Sequence, residues 1–269
     1  MDMDSDKLMV KPGSRAKLAG RDPDDAFGYT KDKAEQALQK HQAKLAELQE
    51  LLYAEKKYAL LIVLQALDAG GKDGTIRHVM SGVNPQSCSV TSFKAPTAEE
   101  LGHDFLWRVH KAVPIKGNIG IFNRSHYEDV LVVRVHKLVP KSVWSERYRY
   151  INDFEDTLAA SGVKILKFFL NIGKDEQKKR FKERLADPCK RWKATPADFE
   201  ERKLWDDYIA AFEDALSKCS SKSAPWYVIP ANKKWFRNLA VSQIIVEALQ
   251  SLDMKFPKLD FDPKNIVIK

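Results

Sequence analysis

One stretch constrains the fold more than any other. Residues 58–67, YALLIVLQAL, form a continuous apolar run, and Asp68-Ala69-Gly70-Gly71-Lys72-Asp73-Gly74-Thr75 follows at once. A short run with no polar alternation suits a strand buried on both faces. Runs of similar character lie at 89–93, 118–122, 163–172 and 226–230. Helical patterns separate them, at 75–80, 98–111, 143–160, 174–185 and 196–218, and a last one covers 235–252. Strands alternating with helices predict a parallel sheet with both faces covered. Residues 129–135 read either way: their β-branched side chains favour a strand, and their place between a loop and Pro140 suits a helix.

Before the first strand, residues 1–32 are polar and rich in turn signals, with Pro12-Gly13 and Arg21-Asp22-Pro23-Asp24-Asp25. They are expected to form an arm that lies over the body or is partly disordered. From Lys31 to Lys57, Leu38, Leu45 and Leu52 recur every seven residues, with His41 and Leu48 between them. That spacing gives a helix with one apolar face, packed on the core. A dimer seam is the alternative, but two heptads are too few for a coiled coil.

The chain has 269 residues, enough for one large domain or two small ones. Its net charge of +8 suggests an anionic partner: nucleic acid, a phosphorylated substrate or a membrane surface. Cys88, Cys189 and Cys219 are far apart and form no CxxC, which argues against a disulfide scaffold or a cysteine zinc site. No apolar run nears the roughly 18 residues of a membrane span. The acidic start, Met1-Asp2-Met3-Asp4, is no secretory signal, so the cytoplasm is the expected location.

The glycine-rich turn carries chemistry. Glycines let backbone N–H groups point inward without a Cβ, a helix N-terminus adds partial positive charge, and a lysine neutralises phosphate. Ala69, Gly70, Gly71, Asp73, Gly74 and Thr75 are therefore expected to cradle phosphate around Lys72. The strict pattern GxxxxGK[ST] would need glycine at Ala66 and Ser or Thr at Asp73. The match thus rests on Gly71-Lys72 and on strand, turn and helix falling in order. With the usual hydroxyl ligand missing, Asp73 or Asp68 would have to supply a Mg²⁺ ligand.

The third strand runs into Asn123-Arg124-Ser125-His126-Tyr127-Glu128-Asp129. Arg124, just beyond a strand's C-terminal end, is expected to project into the cleft where open α/β sheets bind ligands, and to grip phosphate bidentately. Asn123, Ser125, Tyr127 and Glu128 belong to the same loop. Asn123 takes the position where P-loop kinases often carry a Mg²⁺-binding aspartate.

Residues 174–193 hold nine lysines and arginines against four acids. Arg180 and Arg184 share a helix face, Asp187-Pro188 breaks the helix, and Lys190-Arg191-Trp192-Lys193 follows. A mobile basic helix and loop closing over a phosphate donor is the expected lid; a solvated charged helix is the plainer alternative. None of the six histidines has a metal spacing, most of the six tryptophans fall in helical patterns, and no GxSxG marks a hydrolase.

Leu67-Asp-Ala-Gly-Gly-Lys-Asp-Gly-Thr75, Phe122-Asn-Arg-Ser-His-Tyr-Glu-Asp129 and Ala224-Pro-Trp-Tyr-Val-Ile-Pro230 closely resemble the polyphosphate kinase 2 family, over roughly residues 32–252. The resemblance implies a three-layer P-loop kinase-like fold with a five-stranded parallel sheet and a helical lid. It implies Mg²⁺-assisted phosphoryl transfer between inorganic polyphosphate and a nucleotide. The run after the third strand is similar to the class converting AMP to ADP and ADP to ATP. Asp68, Lys72 and Arg124 match catalytic and Mg²⁺–phosphate positions. Arg180 and Arg184 match lid arginines, and with Lys190, Arg191 and Lys193 they are expected to hold polyphosphate. The implied organisation is an arm at 1–32, a catalytic domain at 33–255 with its lid at about 174–200, and a tail at 256–269. A homo-oligomer, dimer or tetramer, is expected, with no nucleic-acid or membrane partner. The rival readings are an ATP-dependent small-molecule or nucleoside monophosphate kinase and a basic nucleic-acid-binding protein, although no helix-turn-helix, zinc finger or RNP motif accompanies the charge.

Overall fold

The computed structural model describes residues 3–260 and Ile266. Met1, Asp2 and part of the expected tail, residues 261–265 and 267–269, lie outside the described residues. The five strands are β1 Ala59–Gln65, β2 Cys88–Ser92, β3 Ile119–Asn123, β4 Val163–Asn171 and β5 Trp226–Pro230. They form one sheet in the order β2-β3-β1-β4-β5, every neighbouring pair parallel. The helices among the described residues are α1 Lys31–Glu55, α2 Lys72–Val79, α3 Ala98–Leu101, α4 Trp107–His110, α5 Val132–Val135, α6 Lys141–Ala160, α7 Lys174–Ala186, α8 Pro196–Lys203, α9 Trp205–Lys218 and α10 Lys234–Gln250.

The uninterrupted apolar run has its physical cause in β1, which lies at the centre of the sheet with all seven residues buried. Alternate side chains of a strand point to opposite faces. Ala59, Leu61 and Val63 pack with Tyr148, Ile151 and Phe154 of α6 and with Phe212 of α9. Leu60, Ile62 and Leu64 pack with Leu45, Leu48 and Leu52 of α1 and with Leu239 and Ile244 of α10. The result is three layers. Parallel pairing places the C-terminal ends of all five strands along one edge, where the polar segments of the sequence meet.

Three helical expectations change. The helix expected over 98–111 is two short ones, because Gly102 ends α3 and the Asp104 carboxylate accepts the Leu106 N–H at 2.9 Å in a local turn. The helix expected over 196–218 breaks at Leu204 into α8 and α9. The ambiguous 129–135 segment is helical: a 3₁₀ turn, His126–Asp129, leads into α5.

The N-terminal arm packs on the body. Val10 N–H donates to Trp226 O at 2.8 Å, Val228 N–H donates to Leu8 O at 2.8 Å, and Met9 bridges Tyr227 antiparallel. The arm thereby covers the free edge of β5, which would otherwise expose unpaired backbone groups. Leu8, only 2% exposed, joins the core beneath α10. Leu8→Ala should therefore cost about 2–5 kcal/mol of unfolding free energy in urea titration. A loss below about 0.5 kcal/mol, the usual size for an exposed site, would mean that the arm adds nothing to the fold.

Candidate active site

After β1 the chain turns sharply. Gly70 N–H donates to Leu67 O at 3.0 Å, and Ala69 and Gly71 take left-handed backbones with φ 59° and 103°. A Cβ on Gly70 would lie 2.5 Å from the Ala66 Cβ and 2.8 Å from Leu67 O, so only glycine closes this turn. α2 then starts at Lys72. The Lys72 ammonium donates to Ala66 O at 2.9 Å, beneath the loop. Burial, with nearby Arg124, lowers its pKa. The Thr75 hydroxyl donates to Gly71 O at 3.1 Å and is buried.

The second contribution comes from the end of β3. Arg124 takes φ 62°, donates its backbone N–H to Leu64 O at 3.1 Å, and places Nη2 3.0 Å from Asp68 Oδ1. Two strand ends are thus locked together at the mouth of the cleft. Burial raises the Glu128 carboxyl, against the opposing pull of Arg124 and Lys72. Two residues of the expected site loop face away from the cleft. Ser125 and Tyr127 are fully buried below the cleft and do not line it. Ser125 Oγ accepts the Tyr127 N–H at 3.2 Å and the Gln65 amide at 3.1 Å, so it shapes the turn from beneath.

Asp73, the other carboxylate beside the glycine turn, is paired in this conformation. It accepts from Asn123 Nδ2 at 2.9 Å and from Lys193 Nζ at 3.2 Å. Burial raises its pKa, but those two bonds outweigh it and hold it below the usual carboxylate range. Among the described residues no three His, Cys, Asp or Glu side chains cluster as a preformed metal site. Mg²⁺ needs no such cage, since it binds through one or two carboxylates plus waters and substrate phosphates. Asp68, on the cavity wall with Oδ1 on Arg124, fits that description.

The basic segment divides by function. Arg180, expected to face polyphosphate, is buried and turns every donor inward. It bonds Glu176, then the carbonyls of Ala69, Gly70, Ala231 and Asn232 at 2.6–3.3 Å. It braces the glycine loop. Arg191 donates to Leu185 O at 2.6 Å and caps the C-terminal end of α7. Arg184 donates to Lys193 O at 3.1 Å. Lys190, paired with Asp187, and Lys193, paired with Asp73, keep side chains 65% and 37% exposed.

Between the glycine loop, the Arg124 loop and α8–α9 lies a cavity of about 260 Å³. Its polar wall includes Asp68, Arg124, Glu128, Glu201, Arg202 and Tyr208, and its apolar wall Leu131, Val132, Trp205 and Phe212. Glu201 accepts from the Tyr208 hydroxyl at 2.6 Å and pairs with His136 at 2.9 Å. Gln177 donates to Asp68 O at 2.9 Å and accepts from Arg202 at 2.7 Å. The sequence reading missed Glu201, Arg202, Tyr208 and Gln177, because nothing in a charged helix pattern says which residues turn inward. An acidic and cationic floor beside an aromatic wall suits a phosphorylated molecule with a flat ring.

A sequence profile for Polyphosphate kinase 2 (PPK2) matches residues 28–257. The AMP/ADP-polyphosphate phosphotransferase of Meiothermus ruber is 55% identical over 265 residues, covering 98% of this chain and 99% of that one. The ADP-polyphosphate phosphotransferase of Rhodopseudomonas palustris is 50% identical over 246 residues, covering 87% and 85%. A crystal structure of polyphosphate kinase 2 from Arthrobacter aurescens superposes with a TM-score of 0.92 at 48% identity, covering 96% of this chain and 93% of that one.

The turn that carries Glu128 ends in Asp129, whose Oδ1 lies 2.9 Å from Arg147 Nη1. Burial lifts the Asp129 carboxyl from 3.8 to about 6, with Arg147 and Arg108 opposing the rise. A carboxyl raised on folding binds its proton more tightly in the native state. Its contribution is therefore full below pH 3.8 and is lost as pH rises through about 6. Asp129→Asn should remove that falling component from a plot of urea midpoint against pH. An unchanged pH dependence in the variant would mean that Asp129 titrates as it does in the unfolded chain.

Proposed function

The chain belongs to the polyphosphate kinase 2 family and is a polyphosphate-dependent nucleotide phosphotransferase, and we propose that it uses inorganic polyphosphate and Mg²⁺ to convert AMP to ADP and ADP to ATP. The observation that carries this reading is the convergence of Lys72, Arg124 and Asp68 from two strand ends beside a cavity with an aromatic wall. The names of the Meiothermus and Rhodopseudomonas relatives support AMP and ADP as acceptors.

Phosphoryl transfer depends on positioning and charge neutralisation far more than on covalent help from the protein. The nucleotide's ring lies against Trp205, Tyr208 and Phe212, and its phosphates point toward Arg124 and the glycine loop. Arg124 exchanges Asp68 for phosphate oxygens, and Lys72 leaves Ala66 O for the transferring group. Asp68, released from Arg124, would hold Mg²⁺, which neutralises the phosphates when bound. The exposed Lys190 and Lys193 receive the donor chain at the lid edge.

The test is transfer by the purified chain with Mg²⁺ and AMP or ADP, given either polyphosphate or ATP as donor. ADP and then ATP should form from polyphosphate. Transfer from ATP alone would make the protein an ordinary nucleoside monophosphate kinase. Lys72→Ala and Arg124→Ala should each lower kcat/KM at least about 100-fold with circular dichroism unchanged, the usual cost of losing one donor to a developing charge. Near-normal turnover by either folded variant would remove that residue from the site.

The lid prediction rests on Lys190 and Lys193, which keep exposed side chains, because Arg180, Arg184 and Arg191 are engaged with carbonyls. Lys190→Ala/Lys193→Ala should raise the KM for polyphosphate several-fold more than the KM for AMP. It should also flatten the dependence of the polyphosphate KM on salt, since exposed charges are screened beyond roughly 8–10 Å at 0.1–0.15 M. A rise confined to the KM for AMP would assign the lid edge to the nucleotide.

A further inference from the structure

Below the cleft lies a buried polar cluster that the phosphoryl-transfer chemistry does not touch. Lys167, in the middle of β4, has no exposed surface. Its ammonium donates to Tyr127 Oη at 2.9 Å, to Cys219 O at 2.5 Å and to Glu155 Oε2. Glu155, on α6, also accepts from Tyr127 Oη at 2.9 Å and pairs with His126 Nε2 at 3.1 Å. Burial alone would raise the Glu155 carboxyl, but Lys167 and His126 outweigh it and the net direction is down. Burial lowers the pKa of His126, against the pull of Glu155. The Tyr127 ring meets Trp226, the residue opposite Lys167 on β5, edge to face at 4.8 Å.

Stability alone does not account for this cluster. Replacing a buried ion pair with well-packed apolar residues is often neutral or stabilising. Its geometry supplies another reason. Two of its four members, His126 and Tyr127, are consecutive residues between Arg124 and Glu128. Arg124 itself holds a left-handed backbone that the loop must maintain. The cluster fastens the middle of that loop to α6, β4 and the carbonyl that follows α9.

We propose that Tyr127, Lys167 and Glu155 are positioning residues, which set where Arg124 stands over the transferring phosphoryl. This rests on Arg124 acting on phosphate, as argued above. A misplacement of about 1 Å in a catalytic site can cost on the order of 100-fold in rate, so a lost hydrogen bond under the loop reaches the chemistry.

Tyr127→Phe deletes one hydroxyl and keeps the ring. At saturating AMP and polyphosphate its kcat should fall about 10-fold, with both KM values within about two-fold and the circular dichroism unchanged. Leu239→Ala, in the core on the opposite face of the sheet, should lower the Tm and leave kcat unchanged. In an Arg124→Ala background, adding Tyr127→Phe should cost less than two-fold, because the residue it positions is gone. If Tyr127→Phe fails to fold, Glu155→Gln carries the same expectations. A variant that loses Tm but keeps wild-type kcat would reduce the cluster to a core stabiliser and overturn the proposal. So would an undiminished 10-fold loss in the Arg124→Ala background. Wild-type turnover by Arg124→Ala alone would instead overturn the reading of the active site, and this inference with it.

Discussion

The burial of β1 on both faces is the constraint on which the rest of this molecule depends. A central parallel strand with all of its side chains buried can reach polar surroundings only where it ends. Its neighbours β3 and β4 run the same way, so their ends meet solvent along the same edge. Lys72, Arg124 and Asp68 are brought together because two neighbouring apolar strands, β1 and β3, stop together. The site is a consequence of the sheet, and three left-handed residues, Ala69, Gly71 and Arg124, turn the chain there.

Charge in the cleft is organised by partners more than by amount. Asp68 holds Arg124, Asp73 holds Lys193, and Lys72 rests on a backbone carbonyl. Each cation is matched with an oxygen acceptor. Such pairs keep unpaired charge from accumulating in the cleft at low dielectric. They also preset the positions of the groups, and preset groups need little reorganisation when charge moves. Arg180 is the extreme case: its guanidinium is spent on backbone carbonyls, among them those of Ala69 and Gly70.

Local features were legible in the residues. The strands follow from unbroken apolar runs, and the glycine turn from residues that can adopt its backbone. The projection of Arg124 follows from its place one residue past a strand. What failed had non-local causes. Arg180 reads as a lid cation on its helix, but its partner Ala69 is 111 residues away in sequence. Tyr127 reads as a cleft residue in a polar loop, until Lys167, 40 residues on, draws it into the core. Glu201 pairs with His136 across 65 residues, a meeting that no local pattern announces.

The sequence by itself determined the order of the elements, the parallel sheet, the glycine turn and the family, because hydrophobic period, turn chemistry and short motifs are encoded within a few neighbouring residues. Only the tertiary structure decided which cations face the cleft and which brace it, that Asp73 is occupied by Asn123 and Lys193, and that a buried ammonium supports the Arg124 loop. A charged side chain has the same local sequence whether it meets phosphate, a carboxylate or a backbone carbonyl. Which of these it meets is settled by the folding of distant segments around it.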